Sequence, residues 1–112
     1  MYLEKLEKVN GFITVFDDNG DVTIQMLEDN VRKIFLAFDP YIKKREDKKL
    51  SVEVTEVYSD KPETFTLELS LSFEYDEDEF SLTGAIDGGN QYHDFDLEFC
   101  DVDTWNKVGT LI

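Results

Sequence analysis

The chain has very few of the residues that build covalent or metal-bound frameworks. It contains one cysteine, Cys100, and one histidine, His93. A single cysteine excludes an internal disulfide, and a lone histidine without a second nitrogen or sulfur ligand at suitable spacing argues against zinc. The sequence also lacks a nucleophile elbow, a phosphate-binding loop and a dinucleotide fingerprint. We therefore expect a protein that has no cofactor and is not an enzyme.

Long apolar runs are absent as well. No stretch is long enough to cross a bilayer, and the first nine residues, MYLEKLEKV, lack the basic start and apolar core of a secretory signal. An unpaired cysteine is typical of reducing compartments. These observations predict a cytoplasmic protein that does not bind membranes.

The apolar content is sufficient for one hydrophobic core. Hydrophobic residues make up 41% of the chain, including nine Phe and five Tyr. This content offsets the entropy of ordering the chain, although 33% of the residues are charged. Because 112 residues is close to the commonest domain size, we expect a single acidic domain over residues 1–112.

Basic residues are scarce, above all in the second half. The net charge is −15, and residues 1–58 carry nine basic and twelve acidic side chains, a net of −3. Residues 59–112 carry two basic and fourteen acidic side chains, a net of −12. Such a surface repels nucleic acid and anionic lipid and attracts basic proteins or cations. A net negative charge of this size is also found in proteins where it only maintains solubility, and the sequence leaves that alternative open.

One main helix is predicted by an apolar stripe with the spacing i, i+3, i+4, i+7 and i+11. Asp29 or Asn30 is the expected N-cap. Pro40 removes a helical hydrogen bond, so we expect a kink or restart there with Asp39 as the new cap. Residues 43–45 are basic and complement the dipole at the C-terminus. The stripe consists of Val31, Ile34, Phe35, Phe38 and Ile42.

Alternating apolar and polar residues predict strands after the helix. The alternation begins at Leu50, shifts phase near Val57 where a bulge would fit, and is clearest over residues 65–75. Two further strands are predicted over residues 80–86 and 95–99. Short helical turns are expected at residues 2–9 and 102–112; the first has Leu3, Leu6 and Val9 inward and ends at Asn10-Gly11. We therefore predict an α+β fold with a mainly antiparallel sheet of about six strands, an N-terminal hairpin followed by a four-strand meander, and one main helix on one face.

Residues 17–28 resemble the EF-hand calcium loop, whose oxygen ligands occupy positions 1, 3, 5, 7, 9 and 12. The resemblance departs at position 6, where the motif has glycine and this chain has Val22. A β-branched residue is unfavourable at a turn that needs positive φ. The corresponding positions are Asp17, Asn19, Asp21, Thr23 (by its carbonyl), Gln25 and Glu28.

The same residues also fit a β-hairpin with Asn19-Gly20 at its tip, since Asn-Gly is the strongest short turn signal. In this arrangement Val22 is an ordinary strand residue, so we favour the hairpin and keep the calcium loop as an alternative. The predicted pairs are Phe16 with Thr23, Val15 with Ile24, Thr14 with Gln25, and Ile13 with Met26.

The large negative net charge favours a function in protein binding. The first hypothesis is a small acidic inhibitor or immunity-type protein that neutralises a basic toxin, nuclease or other effector, with aromatic residues anchoring the contact. The alternative is a DNA mimic that occupies a nucleic-acid-binding site of a DNA-binding effector. Neither binds nucleic acid itself. The candidate contact residues are Glu74, Tyr75, Asp76, Glu77, Asp78, Glu79, Tyr92, Asp94, Asp96, Glu98 and Trp105.

The DNA-mimic hypothesis depends on the spacing of outward carboxylates. Alternate residues of a strand are about 6.6 Å apart, close to two base-pair rises of about 3.4 Å. Asp94, Asp96 and Glu98 form such a row.

Overall fold

The computed structural model describes residues 5–17, 19–58, 61–74, 78–86 and 95–112. It confirms the predicted α+β class, with seven described strands where about six were expected. The elements are β1 (Lys5–Val9), β2 (Phe12–Phe16), β3 (Val22–Leu27), α1 (Glu28–Lys44), β4 (Lys48–Tyr58), β5 (Lys61–Phe73), β6 (Glu79–Ile86), β7 (Phe95–Asp101) and α2 (Val102–Leu111).

All described strands belong to one antiparallel sheet with the order β1-β2-β3-β7-β6-β5-β4. The last strand of the meander, β7, joins the N-terminal hairpins to the rest of the sheet, with Ile24 opposite Phe95. The apolar stripe of α1 and the inner face of the sheet share one core, which also contains Trp105 from α2. The opposite, outer face of the sheet carries mostly polar side chains.

The extra strand is β1, so the helical turn expected at residues 2–9 is wrong. Residues 5–9 pair with β2, from Lys5 opposite Phe16 to Val9 opposite Phe12. Asn10 and Gly11 join the two strands with φ values of 54° and 80°. Positive φ at both residues is the geometry of a type I′ turn, for which Asn-Gly is the favoured sequence. Asn-Gly here therefore joins two strands instead of ending a helix.

The second hairpin confirms three of the four predicted pairs. Ile13–Met26, Thr14–Gln25 and Val15–Ile24 have the expected register, whereas Phe16 lies opposite Val22 instead of Thr23. The register shifts between Val15 and Phe16. Thr23 is buried beside this irregularity, and its hydroxyl donates to the carbonyl of Val15 at 3.3 Å.

Helix α1 begins at Glu28, earlier than expected, and neither Asp29 nor Asn30 caps it. Leu27 occupies the N-cap without a side-chain hydrogen bond, and the amide of Glu28 donates to the carbonyl of Gly11 at 2.8 Å. Asn30 is not available as a cap because its side chain binds β4. The helix therefore starts where tertiary contacts provide hydrogen-bond partners for the backbone groups of its first turn.

The restart expected at Pro40 is also wrong, because α1 continues through it to Lys44. A proline inside a helix costs about 3 kcal/mol, yet Phe38 and Ile42 on either side are fully buried. Burying two such side chains contributes a comparable amount. Packing thus holds the helix continuous, and Asp39 remains available to contact α2 and Lys43.

The C-terminus of α1 closes with a Schellman arrangement. Arg45 takes the left-handed conformation, with φ 54° and ψ 47°, and its amide donates to the carbonyl of Ile42. The amide of Glu46 donates to the carbonyl of Tyr41 at 3.0 Å. The chain then reverses and enters β4.

The short helix expected at the C-terminus is confirmed as α2. The carboxylate of Asp101 caps it by accepting from the amide of Thr104. Hydrogen bonding to the Thr104 side chain, and to a lesser extent to its amide, lowers the pKa of Asp101. Trp105 is buried and stacks on Phe35 with centroids 4.4 Å apart and an interplanar angle of 11°. Its ring nitrogen donates to Asp39 at 3.0 Å. These contacts dock α2 against α1.

Strand β4 stays regular, so the bulge expected near Val57 is wrong. Val57 lies opposite Pro62 in a continuous ladder. The apolar alternation stops at Val54 because the next inward position holds Glu56, which is fully buried. A buried acidic residue therefore explains the break in the sequence pattern.

Asn30 binds this end of β4. Its amide nitrogen donates to Glu56 Oε1 at 2.8 Å and to the carbonyl of Thr55 at 2.7 Å, and its oxygen accepts from the amide of Thr55 at 3.1 Å. Three strands separate β3 from β4 in the sheet, yet α1 follows β3 directly and its first turn contacts β4. The sheet must therefore curl to bring its β4 edge to the start of the helix.

We expect Asn30→Ala to lower the free energy of unfolding by about 2–4 kcal/mol, because three hydrogen bonds are lost around the buried Glu56. Asn30→Asp keeps the size of the side chain but places a second acceptor against Thr55 O and Glu56 Oε1, so its loss should be larger. Urea denaturation measures both. Values within about 0.5 kcal/mol of the parent would contradict this role.

Candidate functional site

Among the predicted contact residues that the structure describes, Glu74, Asp78 and Glu79 lie near the end of β7 at Asp101, whereas Asp96 lies near the other end of this strand, opposite Thr83, with Glu98 between the two ends. The backbone amide of Glu74 donates to the carbonyl of Glu79, and Glu79 lies opposite Asp101 on β7. Glu98 lies three residues from Asp101 in the same strand. We call Glu74, Asp78, Glu79, Asp96, Glu98 and Asp101 the acidic face. The predicted residues Tyr75, Asp76, Glu77, Tyr92 and Asp94 lie outside the described residues.

Asp96 and Glu98 point away from the core. They alternate with Phe95 and Leu97, which are buried, and both carboxylate side chains are exposed. Two residues of one strand at this spacing are about 6.6 Å apart. The alternation rule used on the sequence therefore places these two carboxylates correctly.

A row of paired residues crosses the outer face from acidic to basic. Asp96 lies opposite Thr83, Thr83 opposite Ser70, and Ser70 opposite Lys49. In this row the middle strands contribute short hydroxyl side chains between the carboxylate of β7 and the lysine of β4. Beside the row, Glu68 on β5 and Glu53 on β4 are also exposed on the outer face.

Little positive charge lies within this part of the sequence. Residues 62–106 contain thirteen Asp and Glu and no Lys or Arg. The cations that reach the acidic face come from elsewhere: Arg45 binds Asp78 at 2.9 Å, and Lys107 helps to lower the pKa of Asp101. Within the described residues Glu98 forms no ion pair. The negative field of this surface is therefore only partly neutralised.

Trp105 has to be removed from the set of contact residues. It is 1% exposed and lies between the rings of Phe35 and Phe80, the second at 5.7 Å and nearly perpendicular. Its polar nitrogen is already bound to Asp39. A side chain so enclosed cannot anchor a partner without unfolding α2.

The hairpin does not bring the EF-hand positions together around one point. Residues 22–27 are extended, so the last ligand position is separated from the turn by about 20 Å of strand. Calcium requires oxygen atoms within about 2.6 Å of the ion. Thr23 is buried, and Glu28 instead pairs with Lys8 at 2.9 Å and Arg32 at 3.2 Å.

The polar residues at the tip stabilise the turn. Asp17 accepts hydrogen bonds from the amides of Asn19 and Asp21 at 2.8 and 2.9 Å. The amide of Gly20, with φ 85°, donates to the carbonyl of Asp17. Among the residues that the structure describes, no three acidic, cysteine or histidine side chains are arranged to hold a metal. The similarity to a calcium loop thus arises from turn chemistry.

We expect calcium titration followed by calorimetry to give no binding in the micromolar range, because the hairpin separates the would-be ligands. Glu28→Gln should behave like the parent protein in this titration. Micromolar affinity that Glu28→Gln abolishes would instead show that this segment forms a calcium loop.

Cys100 is buried in the core, and its thiol lies 3.5 Å from the carbonyl of Asp101. Burial raises the pKa of Cys100 to about 12, because the thiolate would lose its hydration. The neutral thiol is a poor nucleophile. Cys100 is therefore a structural residue.

We expect a thiol reagent at mildly alkaline pH to label Cys100 at least about 100-fold more slowly in the native protein than in urea. In the folded protein the reagent cannot reach the thiol, and the thiol is not ionised to the reactive thiolate. The labelling rate followed by absorbance measures this, with a free model thiol as the control. Equal rates in the two states would contradict the assignment.

The chain is not significantly similar to any protein-family model, curated protein or solved structure. In the described part of the chain, no helix combines the length and the apolar character needed to cross a membrane.

Proposed function

We propose that this chain is a non-enzymatic protein-binding domain that uses the acidic face to bind and neutralise a basic protein, in the manner of an inhibitor or immunity-type protein. The observation that supports the proposal most directly is the run of residues 62–106, with thirteen acidic and no basic side chains. Asp96 and Glu98 project from it on a rigid strand. The partner class is a basic toxin, nuclease or DNA-binding effector.

The charge distribution suits rapid recognition of such a partner. A surface of one sign speeds the encounter with an oppositely charged protein and suppresses binding to acidic ones. Charges separated by more than about 8 Å are largely screened at physiological ionic strength, so the close grouping of Glu74, Glu79 and Asp101 around one end of the sheet strengthens the local field.

The shape of the outer face suits a packed contact beside the charges. Thr83 on β6 lies half-buried between the exposed Asp96 of β7 and Ser70 of β5. Hydroxyl groups at such positions donate and accept hydrogen bonds without blocking close approach. A partner with arginine or lysine over β7 thus finds both ion-pair and hydrogen-bond positions on one surface.

A DNA mimic is the second candidate, and the exposed pair Asp96 and Glu98 favours it because their spacing is close to two base-pair rises. The row ends at Glu98, since Cys100 is buried and the register between β6 and β7 shifts between Phe80 and Leu82. The neighbouring strand β6 presents hydroxyls where a duplex would present a second row of phosphates. We therefore place the dedicated inhibitor first.

The test is a pull-down from the source cytosol at low and at moderate salt, followed by affinity measurements with the protein recovered. We expect one basic partner that remains bound at moderate salt. Asp96→Asn combined with Glu98→Gln should weaken its affinity at least about tenfold, which corresponds to about 1.4 kcal/mol. The matched control, Asp29→Asn with Glu46→Gln, makes the same charge change at exposed positions outside the acidic face and should alter affinity less than twofold.

Two outcomes would overturn the inhibitor proposal. Recovery of no partner at either salt concentration counts against any binding role of the acidic face. Recovery of several DNA-binding proteins that are released at moderate salt and displaced by duplex DNA would identify a mimic instead.

A further inference from the structure

Strand β4 forms a long edge of the sheet. It has eleven residues, contains no proline, and within the described residues pairs only with β5. An edge strand presents backbone donors and acceptors that another strand can bind, and most proteins blunt such edges with prolines, bulges or short strands. The ladder of β4 is regular along its whole length.

Asn30 shows which backbone groups of β4 point outward. It binds both the amide and the carbonyl of Thr55, so these groups face away from β5. Because backbone groups alternate in direction along a strand, those of Lys49, Ser51 and Glu53 face the same way. Asn30 thus closes the edge at Thr55 and leaves the 49–53 segment open.

The side chains of the open segment are complementary to themselves. Lys49, Ser51 and Glu53 are exposed on the outer face, whereas Leu50 and Val52 are half-buried on the inner face. Within the described residues neither Lys49 nor Glu53 has an ion-pair partner. The segment has no net charge, in contrast to the protein as a whole.

We propose that the 49–53 segment pairs antiparallel with the same segment of a second copy of this chain, with the two-fold axis at Ser51. Lys49 of each copy then lies opposite Glu53 of the other, and Leu50 lies opposite Val52. The outward groups of Lys49, Ser51 and Glu53 form six main-chain hydrogen bonds across the axis. The two seven-stranded sheets become one continuous sheet.

The neighbouring registers are less favourable. Moving the axis to Leu50 places Asp47 opposite Glu53, and like charges directly opposite each other are destabilising. Moving it to Val52 places Lys49 opposite Thr55, whose backbone groups Asn30 already occupies. Only the axis at Ser51 combines two opposite-charge pairs with free backbone groups.

The net charge of −15 does not prevent this association. Three strand spacings of about 4.8 Å separate β7, with Asp96 and Glu98, from β4, which exceeds the screening length of about 8 Å in physiological salt. Pairing at β4 leaves the acidic face of each copy accessible. The inference concerns a different surface from the proposed function, so either one stands if the other fails.

Sedimentation equilibrium of the full chain over a range of concentrations tests the proposal. We expect a reversible monomer–dimer equilibrium. Ser51→Pro removes the donor at the axis without removing a bond to β5, a position where edge strands tolerate proline, and should weaken association at least about tenfold, the equivalent of about 1.4 kcal/mol. Circular dichroism verifies that the variant is folded.

Charge variants test the register independently. Lys49→Glu and Glu53→Lys should each weaken association about threefold or more, because each creates two like-charge pairs. The double variant restores opposite charges at both positions and should return association to within about twofold of the parent. This comparison remains decisive even if Ser51→Pro does not fold.

Engineered cysteines test the register between the two copies of β4 directly, by disulfide formation. Residues at a hydrogen-bonded antiparallel pair have Cα atoms about 5.5 Å apart, which a disulfide spans. Ser51→Cys should therefore form a covalent dimer on oxidation, whereas Glu53→Cys, offset by four residues from its own copy, should not. A monomer at all concentrations, a dimer insensitive to the Lys49 and Glu53 variants, or preferential cross-linking through Glu53→Cys would each overturn the proposal.

Discussion

The hydrogen bonds between Asn30 and the end of β4 are the contact on which the placement of α1 against the sheet depends. They join the first turn of α1 to a strand that lies on the far side of the sheet from β3. Because this link is short and directional, it fixes the rotation of α1 about its axis and turns the stripe from Val31 to Ile42 toward the sheet. The link requires the sheet to curl, and the core lies enclosed between α1 and the inner face of this curled sheet.

Much of the fold was predictable because alternation and helical periodicity depend only on which face is buried. The long strand β5 and three hairpin pairs around Val15 followed from such patterns. The errors occurred where tertiary contacts override local preference. Glu56 is polar yet buried, Pro40 is held inside α1 by packing, and Asn30 serves a strand instead of a helix terminus.

Asn10-Gly11 shows a different cause of error, since its sequence already carried the correct signal. Asn-Gly predicts a hairpin tip at Asn19-Gly20, whereas at residues 10–11 the helical spacing of Leu3, Leu6 and Val9 predicts that the same dipeptide ends a helix. For the candidate site, alternation placed Asp96 and Glu98 outward, whereas it carried no information about Trp105. An aromatic residue near a chain end looks the same in sequence whether it packs inside or anchors a partner.

The row from Asp96 through Thr83 and Ser70 to Lys49 has a consequence for how the molecule meets another body. On β4 the charge of Lys49 is balanced by that of Glu53 on the same face, so the uncompensated negative charge along this row lies toward β7. An uneven distribution of this kind gives a protein an electric dipole in addition to its net charge, and the field of an oppositely charged body exerts a torque on a dipole as well as a pull. Under the proposed function, this torque would turn β7 toward the basic partner before contact.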